Sequence, residues 1–316
     1  MTAVSTSFTR RLEIWADSFH EGRWVAEEIA KRFNGASVKY ERGFIPILTA
    51  TEEGKTLRIQ VYGDYRAWDP IPDPIKSILQ YGKPDFLLYA PDENRVIFIG
   101  EETAAVPTGN QSTQRCERMI GACLQKPPVP FAYLLPEYGL HRDGQARRSS
   151  VWPSMLAAKL MDQYSTTSVV LMFGDKDHLE DYSVGDGVNL LFELLVSYVR
   201  EYVGFSEKSW KEQRRKSLEK ARSLMLEFVK SQAASMLKVL PEYCHGKTSI
   251  DWPLSHGVPK TSTAFRSENL LRHDELLKNV YIKVSMPIRL TPTGTIGRIR
   301  SCRVLCLFKS RVVAAM

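Results

Sequence analysis

The stretch "VIFIGEETAAVPTGNQSTQR", residues 96–115, decides how the chain is read. An apolar run leads directly into two adjacent carboxylates, Glu101 and Glu102, and then into a polar, glycine-containing segment that ends on arginine. Just upstream, "DFLLYA" (85–90) is a second apolar run, and it opens on Asp85. Short apolar runs bounded by turn residues read as buried strands. The linking "PDEN", 91–94, has the composition of a turn. A tight antiparallel connection sets the start of one strand beside the end of the next, so Asp85 and Glu101 are expected side by side. Side chains two apart on a strand share a face. Glu101 and Thr103 therefore point together, and Glu102 points the other way.

Working outward, "EGRWVAEEIAKRF" (21–33) spaces Trp24, Ala26, Ile29, Ala30 and Phe33 as a helix face, with Asn34-Gly35 as its stop. "FIPILTATEEGKTLRIQVYG" (44–63) reads as a hairpin turning at Glu52-Glu53-Gly54-Lys55. A short helix is expected near "IKSILQYG" (75–82) and a longer one over 110–124, with Met119, Ile120, Cys123 and Leu124 on its apolar side. "PFAYLLP" (130–136) and "SVVLMFG" (168–174) read as strands around a helix from about Trp152 to Tyr164. From Val188 to about Leu240 the pattern is helical, and its middle, "EKSWKEQRRKSLEKAR" (207–222), is strongly basic. Strands alternating with helices predict an α/β core. The expected division is residues 1–182 as that core and 183–316 as a helical, basic part.

The chain has 316 residues, enough to bury a sizeable core without cross-links. Its cysteines, Cys116, Cys123, Cys244, Cys302 and Cys306, are odd in number and form no CxxC pair, which points to a reducing, cytoplasmic setting. No signal-peptide core opens the sequence, and no run is apolar enough for a membrane span. The longest, "VNLLFELLVSYVREYVGF" (188–205), is interrupted by Glu193, Arg200 and Glu201 and reads as a core helix with an apolar surface that could also serve a homodimer. The formal net charge is +7, and it is concentrated late: from Lys283 onward there are seven basic residues and no acid. That asymmetry favours a polyanionic partner, with a solvated tail as the alternative.

Hydrolysing a phosphodiester requires an activated water and a counter-charge for the phosphate, and a hard cation held by carboxylates supplies both. With Pro84-Asp85 and Glu101-Glu102-Thr103 in strands of the expected order, residues 20–136 resemble the PD-(D/E)XK nuclease superfamily, which includes most type II restriction endonucleases. The resemblance implies a restriction-endonuclease-like central mixed sheet flanked by helices, and Mg²⁺-dependent cleavage of double-stranded DNA. It implies Asp85, Glu101 and Glu102 at the metal, and Asp85, Glu101, Thr103 and Gln111 in catalysis. Glu27 or Glu28 would add a carboxylate. One position departs: Thr103 stands where the family has lysine, and a hydroxyl can donate a hydrogen bond but carries no charge. Gln111, Gln114 and Arg115 are the candidates to replace it. In "GNQSTQR" (109–115) Asn110 reads either as a helix cap or as part of a phosphate-contacting helix start. Arg115, Arg147, Arg148, Lys211, Arg214 and Arg215 are the expected DNA contacts. A binding protein that kept the fold without catalysis, or a repair or RNA-processing nuclease, are the alternatives.

Overall fold

The computed structural model describes residues 9–43, 45–103, 115–140, 144–179 and 181–245, with side chains through Gln232. In chain order the elements are β1 (Thr9–Ala16), α1 (Phe19–Ala30), β2 (Ser37–Glu41), β3 (Ile45–Glu52) and β4 (Lys55–Gly63). A single 3-10 turn (Tyr65–Ala67) leads to α2 (Asp73–Leu79), β5 (Phe86–Ala90) and β6 (Arg95–Glu102). Then come α3 (Cys116–Leu124), β7 (Phe131–Pro136), β8 (Tyr138–Leu140) and β9 (Ala146–Arg148). The last are α4 (Trp152–Tyr164), β10 (Ser168–Phe173), α5 (Gly187–Val203) and α6 (Glu207–His245).

Eight strands form one mixed sheet in the order β10-β7-β6-β5-β1-β4-β3-β2, and β8 and β9 form a separate hairpin. The α/β class and the flanking helices are as expected. The expected hairpin is present as β3 and β4, but it does not adjoin β5: β1 lies between them, parallel to β4 and antiparallel to β5. Neither β1 nor β2 was anticipated. In β1, Leu12, Ile14 and Ala16 are buried at every second position, but Arg10, Arg11 and Glu13 interrupt the run. Those charges are accommodated by Glu93, Asp92 and the Trp15 indole.

β6, β7 and β10 are mutually parallel, and β5 runs against β6 and β1. The carboxyl ends of β1, β4, β6, β7 and β10 and the start of β5 therefore share one edge of the sheet. In open α/β sheets that edge is where ligand sites form.

α5 is buried along Leu190, Leu191, Phe192, Leu194, Leu195 and Val199. These residues belong to the same core cluster as the strands, as do Ala221 and Met225 of α6. The apolar side of α5, expected as a surface for a homodimer, lies inside the molecule, and residues on both sides of the expected 182/183 division contribute to one core cluster. α6 also covers the open edge of β10, where the Val170 N–H donates to the Met225 sulfur at 3.2 Å; a covered edge cannot pair with another chain. Among the described residues no helix is long and apolar enough to cross a membrane.

Candidate functional site

The register of β5 on β6 sets Phe86 opposite Gly100, and continuing it by one residue sets Asp85 opposite Glu101. Gly100 is required there by close approach, because a Cβ would come within 2.0 Å of the Phe86 ring. Asp85 Oδ2 accepts the backbone N–H of Glu102, which fixes the carboxylate at the strand end. Glu101 is 0 % exposed. Its Oε1 accepts from Arg115 Nη1 at 2.9 Å and from Arg118 Nη1. Arg115 Nη1 also donates to the Glu102 carbonyl at 2.5 Å and lies 3.8 Å from Asp85 Oδ2. One guanidinium nitrogen thus sits between the two carboxylates. The other oxygen of Glu101, Oε2, is buried with no hydrogen-bond partner among the described residues.

Arg118 was not anticipated. It lies three residues after Arg115, and on a helix such residues share a face. Gly82, at φ +114°, lets the backbone lie against it, since a Cβ there would be 3.1 Å from Arg118 Nε. Thr103, which stands where the resembled family carries lysine, has its hydroxyl 3.0 Å from the Tyr133 hydroxyl, and Tyr133 is paired in register with Glu101. The cationic groups at this site therefore come from Arg115 and the start of α3, not from β6.

Glu102 stands apart from the Asp85–Glu101 pair, as its strand position requires, and accepts from the Tyr182 hydroxyl. The Tyr182 ring is stacked on Phe173 at 4.5 Å. Glu27 and Glu28 do not join the site either. Glu27 binds Arg23 and Tyr40, and Glu28 binds Lys31 and Arg32. The acid from α1 that does approach is Glu21, whose carboxylate takes the Ser18 N–H at 2.8 Å in a capping box. The Ser18-x-x-Glu21 spacing was the available signal. Asp17, whose N–H donates to the Asp85 carbonyl at 2.8 Å, pairs with Lys83.

The electrostatics are those of a site with too little positive charge. Burial raises Asp85 to about 6 against the pull of Arg115 and Arg118. Glu101 is pushed well above the ordinary carboxylate range by burial and then by Asp85. Burial likewise raises Glu102 and Glu21, the latter with a further push from Asp85. Burial disfavours a charge unless a counter-charge is close, and these acids would gain from a cation.

Among the described residues no three His, Cys, Asp or Glu side chains converge as a metal cage. Mg²⁺ does not require one: it commonly takes one or two protein carboxylates and keeps several waters. Asp85, and Glu101 with its unpartnered Oε2, fit that demand. Gln111 and Gln114 lie outside the described residues, as does the basic segment 246–316.

The expected DNA contacts divide by environment. Arg148 is engaged by Glu137 at 2.5 Å and by Ser231 at 2.5 Å, under the Phe228 ring, so it ties β9 to α6. Arg214 donates to the Ser197 carbonyl and to Glu201 and lies 3.7 Å from the Tyr198 ring centre, tying α6 to α5. Neither is presented to a ligand as expected. Lys211 and Arg215 are exposed, each paired along its own helix with Glu207 or with Glu212 and Glu219. Arg147 is exposed on β9. A cavity of about 320 Å³ lies between the end of β10, α5 and α6, lined by Met172, Asp186, Leu190 and Phe228, and it includes neither Asp85 nor Glu101.

Comparison with known proteins returned no matching family model, no matching curated protein and no matching solved structure.

Proposed function

We propose that this chain is a Mg²⁺-dependent endonuclease that hydrolyses phosphodiester bonds of double-stranded DNA at a specific sequence, in the manner of the type II restriction endonucleases that its motifs resemble. The observation that carries the reading is the placement of Asp85 against Glu101 at the carboxyl edge of the sheet, with Glu101 Oε2 buried and without a partner among the described residues. These two carboxylates would hold the metal. When bound, the ion supplies a nucleophilic water and a Lewis acid for the phosphate. Arg115 and Arg118 supply the positive charge that Thr103 lacks, and a guanidinium suits a phosphate oxygen pair. Thr103 acts indirectly, fixing Tyr133 behind Glu101. Lys211, Arg215 and Arg147 are exposed and suited to follow the phosphate backbone.

A second reading has its own support. Glu101 already accepts from two guanidiniums, and the Thr103 hydroxyl is engaged by Tyr133, an arrangement compatible with a protein that binds nucleic acid without cutting it. The test is incubation of plasmid DNA, single-stranded DNA and structured RNA with the parent, Asp85→Ala and Glu101→Ala, in Mg²⁺ and in EDTA. Discrete DNA fragments that need Mg²⁺ and disappear in both variants support the endonuclease. Cleavage confined to RNA or to single-stranded DNA moves the reading to a processing or repair nuclease. Retention of intact DNA on the protein under every condition supports the binder.

A further inference from the structure

We infer that Arg115 is an exchangeable counter-ion, so that a divalent cation and a phosphodiester bind this site with mutual reinforcement. The inference rests on the metal-binding reading above but not on catalysis. Arg115 Nη1 lies 2.9 Å from Glu101 Oε1 and 3.8 Å from Asp85 Oδ2, the space a cation shared by those carboxylates would take. A dication and a guanidinium cannot occupy it together, because like charges at such spacing repel strongly where water is scarce. Entry of the ion therefore requires Arg115 to leave.

The two arginines are not equivalent in this respect. Arg118 reaches Glu101 alone among the described carboxylates and is backed by the close approach of Gly82. Arg115 bridges Glu101, Asp85 and the Glu102 carbonyl, and its contacts among the described residues all use Nη1. It is also one-third exposed, at 33 %, and stands just before the first turn of α3. Once displaced, it carries an uncompensated charge at the mouth of an acidic site, and a phosphate oxygen pair is the ligand its planar fork fits best. Asp85 and Glu101 then keep the ion, and the phosphate keeps Arg115. Each ligand removes the competitor of the other, and such coupling is reciprocal by thermodynamic necessity.

The test is calorimetric titration of the full-length chain with Mg²⁺ and, separately, Ca²⁺, alone and in the presence of a short DNA duplex whose integrity is checked by gel. The parent, Arg115→Ala, Arg115→Lys and Asp85→Ala are compared, each first checked for cooperative unfolding. The expected result is that DNA tightens cation binding to the parent by about tenfold, a typical coupling. Arg115→Ala binds the cation tighter than the parent without DNA and gains nothing when DNA is added. Arg115→Lys, which keeps the charge but not the fork, falls between them. If the parent binds the cation through Asp85 with the same affinity with and without DNA, and Arg115→Ala binds it no tighter, the exchange is wrong while the metal site stands. If no protein binds a cation under any condition, both fall. Coupled binding without DNA cleavage leaves the exchange intact and removes only the nuclease.

Discussion

Replacing Asp85 by asparagine is expected to stabilise the protein at neutral pH while removing a residue the proposed chemistry needs. The side chain is 13 % exposed, and burial raises its carboxyl from 3.8 to about 6. The native state therefore holds this proton more tightly than the unfolded chain. The associated stability is fully present below about pH 3.8, declines as pH rises, and is lost above about 6. At ~1.4 kcal/mol per pKa unit, the interval corresponds to a ceiling of about 3 kcal/mol against the folded state at pH 7 to 8. Asparagine has nearly the same shape, keeps an acceptor for the Glu102 N–H, and carries no charge. The pull of Arg115 at 3.8 Å is already contained in that value, and imperfect matching of the amide to the carboxyl takes up part of the gain, so a net of roughly 1–3 kcal/mol is expected. Urea unfolding of parent and Asp85→Asn, with a chelator present, should give curves that nearly coincide near pH 4 and separate as pH rises, with the variant more stable at pH 8. Excess Mg²⁺ should then close the gap from the parent's side, by about 2.7 kcal/mol at a hundredfold excess over Kd. A variant less stable than the parent at pH 8 would refute the claim that this carboxylate is held under electrostatic strain.

Three other perturbations separate the parts of the account. Gly100→Ala places a methyl 2.0 Å from the Phe86 ring, and overpacking there should destabilise by about 1–3 kcal/mol in the same assay. Arg118→Met removes a half-buried cation from a fully buried Glu101 and should cost about 3–5 kcal/mol; Glu101→Gln in the same chain should restore most of the loss, and a double-mutant cycle measures this. Arg214→Ala should loosen α6 from α5 and lower stability by about 1–3 kcal/mol through its half-buried hydrogen bonds to Ser197, whereas Arg215→Ala should leave stability within about 0.5 kcal/mol and weaken DNA binding with a shallower salt dependence. Denaturation and filter binding on both variants check that division.

What the sequence disclosed follows from how local each signal is. β5, β6 and β7 are continuous apolar runs because they are buried on both faces, and the acids terminating the β5–β6 pair stand out against them. β2 carried no comparable signal, since four of its five positions are exposed. β1 hid its period of two behind charges whose partners, Asp92 and Glu93, lie in the distant β5–β6 turn. Glu21 was visible as a helix cap, but its approach to Asp85 depends on β1 inserting beside β5, which no local pattern encodes. Arg148 and Arg214 illustrate the converse: their charge suggested a polyanion, while their rings and carboxylate partners are set only by tertiary packing. Thr103, where the resembled family carries lysine, and Arg115 as a cation nearby were both legible in the sequence, whereas the approach of Arg118 to Glu101 required the geometry of α3.

The most direct measurement of the central claim is the rate at which a DNA duplex is broken as Mg²⁺ is titrated against excess parent protein, with Glu101→Gln beside it. The account predicts cleavage at defined positions that rises with Mg²⁺, saturates, and is abolished in Glu101→Gln. DNA that stays intact while bound by the parent at saturating Mg²⁺, or that is cut equally by Glu101→Gln, would contradict it.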